Sequence, residues 1–356
     1  MKQESYKVLF VAGGTGGHIV PAIAVAQKLK QLEPKVEVIF CGVGKEIEKN
    51  LVIPAGFELL SLPFPPFRGV SLLKKFKFFY ELPLTVLKAR RVIKKLKINS
   101  VIAFGGYPSV CPMIAAWSLK LNRLLHEQNQ QVGLANQLLE FFATKVFAVT
   151  GATGFRKPEL VQFLPLPVRA QFREIPELEL SGEPRLLVLG GSQGARKINE
   201  AVVELLPFLK EHKVSVFHQS GSADFERTFK AYEGYERGEV VAFTNDVASA
   251  LKNTWVVISR AGAMSVAEIC AAGRASIYVP LKIAGAHQSA NIAGALKSKA
   301  AISVNQDEQL VENLKNELEA LFKDNAKLLR LGKSARELSL HGEQGSEEII
   351  ARAVLW

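Results

Sequence analysis

Aspartate is scarce in this 356-residue chain. Only Asp224, Asp246, Asp307 and Asp324 occur, and no two are arranged as D-x-D. A divalent cation bridging a diphosphate ordinarily wants close carboxylates. A diphosphate leaving here would instead be stabilised by backbone N–H groups and helix N-termini. Cysteine is as sparse. Cys41, Cys111 and Cys270 are far apart, odd in number and set in apolar surroundings, which argues for a reducing compartment and against a disulfide or zinc framework. No apolar run approaches the ~18 residues of a membrane span, and the opening MKQESYKVLF lacks the apolar core of a signal peptide. The G-x-x-x-x-G-K-S/T signature is missing, so P-loop chemistry is not indicated. Acids are nearly missing between Arg68 and Lys97, where ten basic residues face only Glu81. That segment carries +9 of a net charge of +11, so the rest of the chain is nearly neutral.

What is present is organised around Gly13-Gly14-Thr15-Gly16-Gly17-His18. The run Tyr6–Ala12 before it reads as a buried parallel strand. Apolar residues at Ile19, Ile23, Ala26, Leu29 and Leu32 predict a helix after it, with Pro21 suited to the first turn. Four glycines permit positive φ and let another molecule approach the main chain. The helix N-terminus behind them favours a phosphate or a developing oxyanion. His18 is the only side chain there that titrates near neutral pH.

Strand and helix alternate along the chain. Strands are expected at 36–41, 57–61, 101–104, 123–126 and 145–150, with a glycine turn at 105–109. The proline-rich stretch LPFPPFR at 62–68 is an irregular loop. Ser71 caps a helix that Pro83 breaks before a second basic helix at about 84–96. Prolines at 165, 167, 176 and 184 mark a domain boundary. A second series then opens with the strand Arg185–Leu189, the turn Gly190-Gly191-Ser192-Gln193-Gly194 and a helix at 198–209. Strands follow at 214–218, 240–243, 255–258 and 275–279, with a helix at 263–272. The tail is helical from about Asp307, broken at Gly342, and its last helix crosses back to the first domain. The fold class is α/β, with two doubly wound parallel-sheet domains, 1–166 completed by 342–356, and 167–341, facing a cleft. At 48% hydrophobic and 22% charged residues the composition is that of a soluble globular protein.

Three chemistries compete for these turns. A dinucleotide site wants Gly or Ala where the first turn has Ile19, and an acid where the second strand ends in Cys41-Gly42, so both positions argue against NAD. Gly190–Gly194 fits G-x-S-x-G between a strand and a helix, and Asp246 and His287 follow in triad order. That hydrolase reading leaves the first turn without a role. Glu268, one turn into a helix, suits two ribose hydroxyls, and His287-Gln288-Ser289-Ala290-Asn291 is a further polar cluster. The basic segment fits a nucleic-acid binder only weakly, because it carries no reader motif.

GGTGGHIVPAIAVA, GGYPSVCP, LLHEQNQQVGLAN, GGSQGA, RAGAMSVAEICAAG and HQSAN occur in this order. Together they resemble the MurG family, peripheral membrane N-acetylglucosaminyltransferases of peptidoglycan synthesis. The resemblance implies a GT-B fold and inverting transfer of GlcNAc from UDP-GlcNAc to the MurNAc 4-hydroxyl of lipid I, with no metal or cofactor needed. It implies donor contacts at Thr15, Gly16, Gly17, Asn129, Arg169, Ser192, Thr244, Ala263, Met264, Ser265, Val266, Ala267, Glu268 and Gln288. His18 becomes the general base, with Tyr107, His126 and Glu127 assisting. Leu72, Leu73, Lys74, Lys75, Phe76 and Phe79 would meet an anionic membrane surface at the cytoplasmic face of the inner membrane. Partners would be the two substrates and cell-wall synthesis and division proteins, with no nucleic acid. Departures are Leu166 in Leu166-Pro167-Val168-Arg169, where the family has Asn, and Ala284-Gly285-Ala286, where it has acids. Another UDP-sugar enzyme of the same fold, a lipid glycosyltransferase or a UDP-GlcNAc 2-epimerase, is the alternative.

Overall fold

The structure is a computed structural model that describes residues 5–63, 72–190, 194–244, 246–281 and 288–355, with the side chains of 72–80 outside the description. The described residues divide into two compact units, 1–170 with 341–356, and 171–340.

The first unit runs β1 (Lys7–Val11), α1 (Gly16–Leu32), β2 (Glu37–Gly42), α2 (Glu46–Val52), β3 (Glu58–Ser61), α3 (Leu72–Leu96), β4 (Ser100–Ala103), α4 (Val110–Ser118), β5 (Asn122–Glu127), α5 (Leu134–Leu139), β6 (Lys145–Val149) and β7 (Val161–Leu164). Its seven strands are all parallel, in the order β3-β2-β1-β4-β5-β6-β7. Residues alternate across the sheet as a pleat requires. Val8 and Phe10 face a core with Ile19, Phe40, Phe104 and Phe147, while Leu9 and Val11 face Ile93, Val101, Met113 and Leu125. Both faces are therefore apolar, which is why the strands read as near-continuous hydrophobic runs.

The second unit follows α6 (Ala170–Arg173) with β8 (Arg185–Leu189), α7 (Arg196–Glu204), α8 (Leu206–Glu211), β9 (Ser215–Gln219), α9 (Phe225–Ala231), β10 (Gly238–Val241), α10 (Val247–Lys252), β11 (Val256–Ser259), α11 (Ala263–Ala271), β12 (Ala275–Tyr278), α12 (Gln288–Lys297), β13 (Ile302–Ser303), α13 (Leu310–Lys323) and α14 (Asn325–Leu338). Its parallel order is β10-β9-β8-β11-β12-β13. Finally α15 (Ser346–Val354) packs on α1. Ile350, Ala351 and Val354 enter the first core, Lys28 pairs with Glu348 at 3.1 Å, and the Tyr6 hydroxyl donates to the Val354 carbonyl at 3.1 Å.

Local expectations differ from the structure in four places. The first helix begins at Gly16, so Pro21 lies inside it and not in its first turn. The bond Pro21 cannot make would have gone to Gly17, which is exposed to solvent. Pro83 does not end a helix: α3 runs through it as one 25-residue element, because the flanking turns carry the ladder past one missing bond. The expected 198–209 helix breaks at Leu205, where Pro207 enters the start of α8. The strands β7 and β13 were not among the expected strands, and Ser71 lies outside the described residues.

Two buried bases tie the second unit together. The Arg274 guanidinium is fully buried and donates to the carbonyls of Leu251, Lys252, Ala272 and Pro176 at 2.8–3.1 Å. Three of these carbonyls lie at the C-terminal ends of α10 and α11, where the helix dipole favours a cation. Burial and the nearby Arg336 charge pull its pKa down to about 10. His218 is fully buried, with Nδ1 3.0 Å from the Tyr232 hydroxyl and Nε2 2.9 Å from Asn199 Oδ1. Asn199 then donates to the Ser220 carbonyl at 2.9 Å and to Asp224 at 2.7 Å.

Burial pushes the His218 pKa down to about 4, against the pull of Asp224. The unfolded chain takes up this proton near pH 6.5 and the folded chain does not until about 4. The unfolded state therefore binds more protons in that window, and stability falls as pH falls, by up to about 1.4 kcal/mol per unit. Denaturant melts followed by tryptophan fluorescence should lose stability between pH 6.5 and 5, above the usual carboxylate range. The slope should flatten in His218→Gln; an unchanged slope would count against a neutral buried His218.

Candidate active site

In an open parallel sheet the strand order reverses at one point, and ligands bind beyond the carboxyl ends of the strands there. In the first unit that point lies between β1 and β4, and in the second between β8 and β11. The four turns that leave these strands are Gly13–Gly17, Gly105–Ser109, Gly190–Gly194 and Arg260–Gly262.

Thr15 is the N-cap of α1, with extended φ and ψ of −147° and 154°. Its hydroxyl does not cap a backbone amide. It lies 2.7 Å from Nδ1 of His18, at the third helical position. The imidazole rests against Gly105 and Gly106, which have φ of +91° and +77°. A Cβ on Gly105 would stand 3.3 Å from the ring's Cδ2, and one on Gly106 3.4 Å from Cε1. The second turn is thus bare of side chains where the ring lies. Burial lowers the His18 pKa below its ordinary value, so the ring is neutral near pH 7 and carries a lone pair.

The neighbouring groups serve different ends. His126 is buried, its ring tilted against Phe104 at 5.2 Å, and its Nδ1 has no hydrogen-bond partner. Burial and the charge of His18 drive its pKa down to about 3. The ring is therefore neutral near pH 7, with a single N–H. Glu127 is also buried. Its Oε1 accepts from the Asn129 amide at 2.9 Å and the Asn129 side chain at 2.7 Å. Its Oε2 accepts from Gly133 N at 2.9 Å and Asn136 Nδ2 at 2.8 Å. All of these donors belong to the loop and helix that follow β5, so Glu127 fixes that loop. Tyr107 is half-buried with its ring beside Gly14, and burial followed by the Glu48 charge raises its hydroxyl pKa.

Glu48 was missed in the sequence. It is fully buried at the third position of α2. Its Oε1 accepts from Gly14 N at 3.0 Å, and its Oε2 from Gly44 N at 2.8 Å and Lys45 N at 3.2 Å. A glutamate three residues into a helix that reaches back to the N-cap amide is the capping-box pattern. That pattern, beside the glycines at 13, 42 and 44, was the available signal.

In the second unit Gly190 and Gly194 press against carbonyls. A Cβ on Gly190 would meet the Gln219 carbonyl at 2.9 Å, and one on Gly194 the Ser220 carbonyl at 2.6 Å. Ser192 and His287 lie outside the described residues, as do the side chains of Leu72, Leu73, Lys74, Lys75, Phe76 and Phe79. Gly262 precedes α11; Ala263, Met264, Ser265, Ala267 and Glu268 are half-buried and Val266 is in the core. The Gln288 side chain accepts from Leu281 N at 3.0 Å, and Asn291 donates to the Ala261 carbonyl at 2.9 Å. The start of α12 is thus fastened to the turns after β11 and β12. The Thr244 hydroxyl accepts from Asp246 N at 3.1 Å. Asp246 itself caps α10 through Ser249 N at 3.0 Å, which gives the would-be triad acid a helix-capping task. Asn129 and the half-buried Arg169 belong to the first unit.

Two parallel-sheet units, each with glycine turns at its switch point, match the architecture of GT-B glycosyltransferases. Residues 8–148 match the glycosyltransferase family 28 N-terminal domain and residues 185–348 its C-terminal domain. The chain belongs to glycosyltransferase family 28. It is similar to the UDP-N-acetylglucosamine–N-acetylmuramyl-(pentapeptide) pyrophosphoryl-undecaprenol N-acetylglucosamine transferase of Francisella philomiragia, with 33% identity over 98% of this chain and 97% of that one. The protein of the same name from Nitratidesulfovibrio vulgaris is 36% identical over 93% and 92%. Among solved structures, Acinetobacter baumannii MurG matches with a TM-score of 0.75 and 26% identity, covering 98% of this chain and 99% of that one. A UDP-N-acetylglucosamine 2-epimerase matches with a TM-score of 0.65 at 11% identity, a likeness of fold alone. Family membership removes the hydrolase and dinucleotide alternatives.

Proposed function

We propose that this chain moves GlcNAc from UDP-GlcNAc to the MurNAc 4-hydroxyl of undecaprenyl-diphospho-MurNAc-pentapeptide, making lipid II for peptidoglycan. The name shared by its near full-length relatives supports the substrates. The observation that carries the chemistry is the neutral His18 imidazole, held by Thr15 at the switch point of the first sheet.

With Nδ1 hydrogen-bonded to Thr15, Nε2 is the nitrogen left to act. It accepts the 4-hydroxyl proton as that oxygen attacks the anomeric carbon opposite the departing UDP, which inverts the configuration. The leaving diphosphate is met by main-chain N–H groups of the Ser192 turn. Glu268 accepts the ribose hydroxyls, Thr244 meets uracil mainly through its backbone, and Arg169, Asn129, Gln288, Thr15–Gly17 and the Ala263–Ala267 turn complete the donor contacts. The first unit receives the lipid acceptor and the second the nucleotide. Tyr107, His126 and Glu127 shape the acceptor side.

His18→Ala should lower turnover by about 10²- to 10⁴-fold while leaving UDP-GlcNAc affinity within about twofold. Equal turnover in the variant would remove His18 from this role.

The acceptor's lipid calls for a membrane surface. Among the described residues no helix is long and apolar enough to cross a membrane. Exposed Leu84 and Leu87 share α3 with exposed Lys88, Arg91, Lys94 and Lys95. Exposed Trp117, Leu138 and Phe141 lie on or just after α4 and α5, helices packed in sequence beside α3. Apolar side chains ringed by bases suit peripheral attachment to anionic lipid, here the cytoplasmic face of the inner membrane. Leu72–Phe79 extend the same helix. In flotation, vesicles containing anionic lipid should carry the protein and purely zwitterionic ones should not. Retention on DNA without binding to anionic vesicles would reverse this assignment.

A further inference from the structure

We propose that Glu48 is a positioning residue that sets the orientation of the His18 imidazole through the backbone of the first glycine turn. The proposal rests on the assignment of His18 as the proton acceptor, and adds a group outside every contact given to that reaction above.

Glu48 joins two turns with one carboxylate. Oε1 takes the Gly14 amide from the turn after β1, and Oε2 takes the Gly44 and Lys45 amides from the turn after β2. Every partner is an N–H donor, a set that fits two acceptor oxygens and conflicts with any donor in their place. The sequence clears space for this group on both sides. A Cβ on Gly13 would stand 2.6 Å from Oε1, and one on Gly42 2.3 Å from Oε2. The Lys45 ammonium also reaches the Gly14 carbonyl, at 3.5 Å. The Gly14 amide is therefore held from the start of α2, in a conformation with φ of +85°.

Thr15 is the next residue, and its hydroxyl fixes Nδ1 of His18. The chain of constraint is short: Glu48 holds Gly14, Gly14 sets the direction of Thr15, and Thr15 holds the ring. Burial alone explains neither the three amide bonds nor the two glycines that accommodate the carboxylate. A base displaced by about 1 Å from its proton can lose about 10²-fold in rate. A carboxylate so anchored is a means of preventing that displacement.

Glu48→Gln keeps the volume but puts an NH₂ where an oxygen faced amide donors. In the full chain we expect turnover to fall about 10- to 100-fold, a larger factor than any rise in the KM for UDP-GlcNAc. Nitrogen-15 imidazole spectra, with His18 identified by its loss in His18→Ala, should show one fixed tautomer in the native chain and exchanging tautomers in Glu48→Gln. Glu46→Gln, an exposed change on the same helix, should leave all of these native. If Glu48→Gln does not fold, Glu48→Asp retains the charge, withdraws it by one methylene, and should give the same spectral change with a smaller loss of turnover. Native ring spectra in the folded variants overturn the proposal, whatever the turnover. So does a loss of turnover that only tracks the unfolded fraction. Should His18→Ala keep full turnover, the catalytic assignment falls, and the ring spectra still decide whether Glu48 governs that side chain.

Discussion

The first unit's site depends on side chains that are missing from its turns. Between β1 and β4 the backbone bends sharply at Gly14, Gly105 and Gly106 with positive φ, conformations that cost an ordinary residue about 1–2 kcal/mol. The conformation alone does not explain them. The space where a Cβ on Gly105 would stand is crowded by the Asn136 side chain and the His18 ring, and that on Gly13 by the Glu48 carboxylate. Glycine here admits one residue's side chain to another's backbone, and the imidazole is held where the strand order reverses.

The second unit repeats the plan with a different filling. Gly190 and Gly194 meet main-chain carbonyls of the neighbouring strand end and not side chains. The Ser220 carbonyl that abuts Gly194 is held by Asn199, and Asn199 by the buried His218. In one unit the turn packs against a titratable ring, and in the other a buried polar network holds its flank. That division suits one turn to proton transfer and the other to main-chain hydrogen bonding of an anion.

Much of this was legible in the chain. Apolar runs buried on both faces gave the central strands of both sheets nearly to the residue, as with Arg185–Leu189. The glycine turns stood out because strand and helix signals flank them. Elements at the edges were harder to read. β13 pairs through only Ile302 and Ser303, too short for a period to show. Pro83 misled because a single proline removes one hydrogen bond and a long helix tolerates that. Glu48 escaped notice because its capping-box position, legible locally, does not reveal the long-range bond to the Gly14 amide. Glu127 and His126 were expected to assist the general base. Their division into a loop anchor and a neutral buried ring follows from burial and partners that only the folded chain displays.

The most direct measurement is product analysis after incubation with UDP-GlcNAc and a soluble lipid I analogue. The account predicts an acceptor heavier by one N-acetylhexosamine, joined at the MurNAc 4-oxygen, with the configuration at the transferred sugar's anomeric carbon inverted. An unmodified acceptor, a free epimerised sugar nucleotide or a product of retained configuration would contradict it.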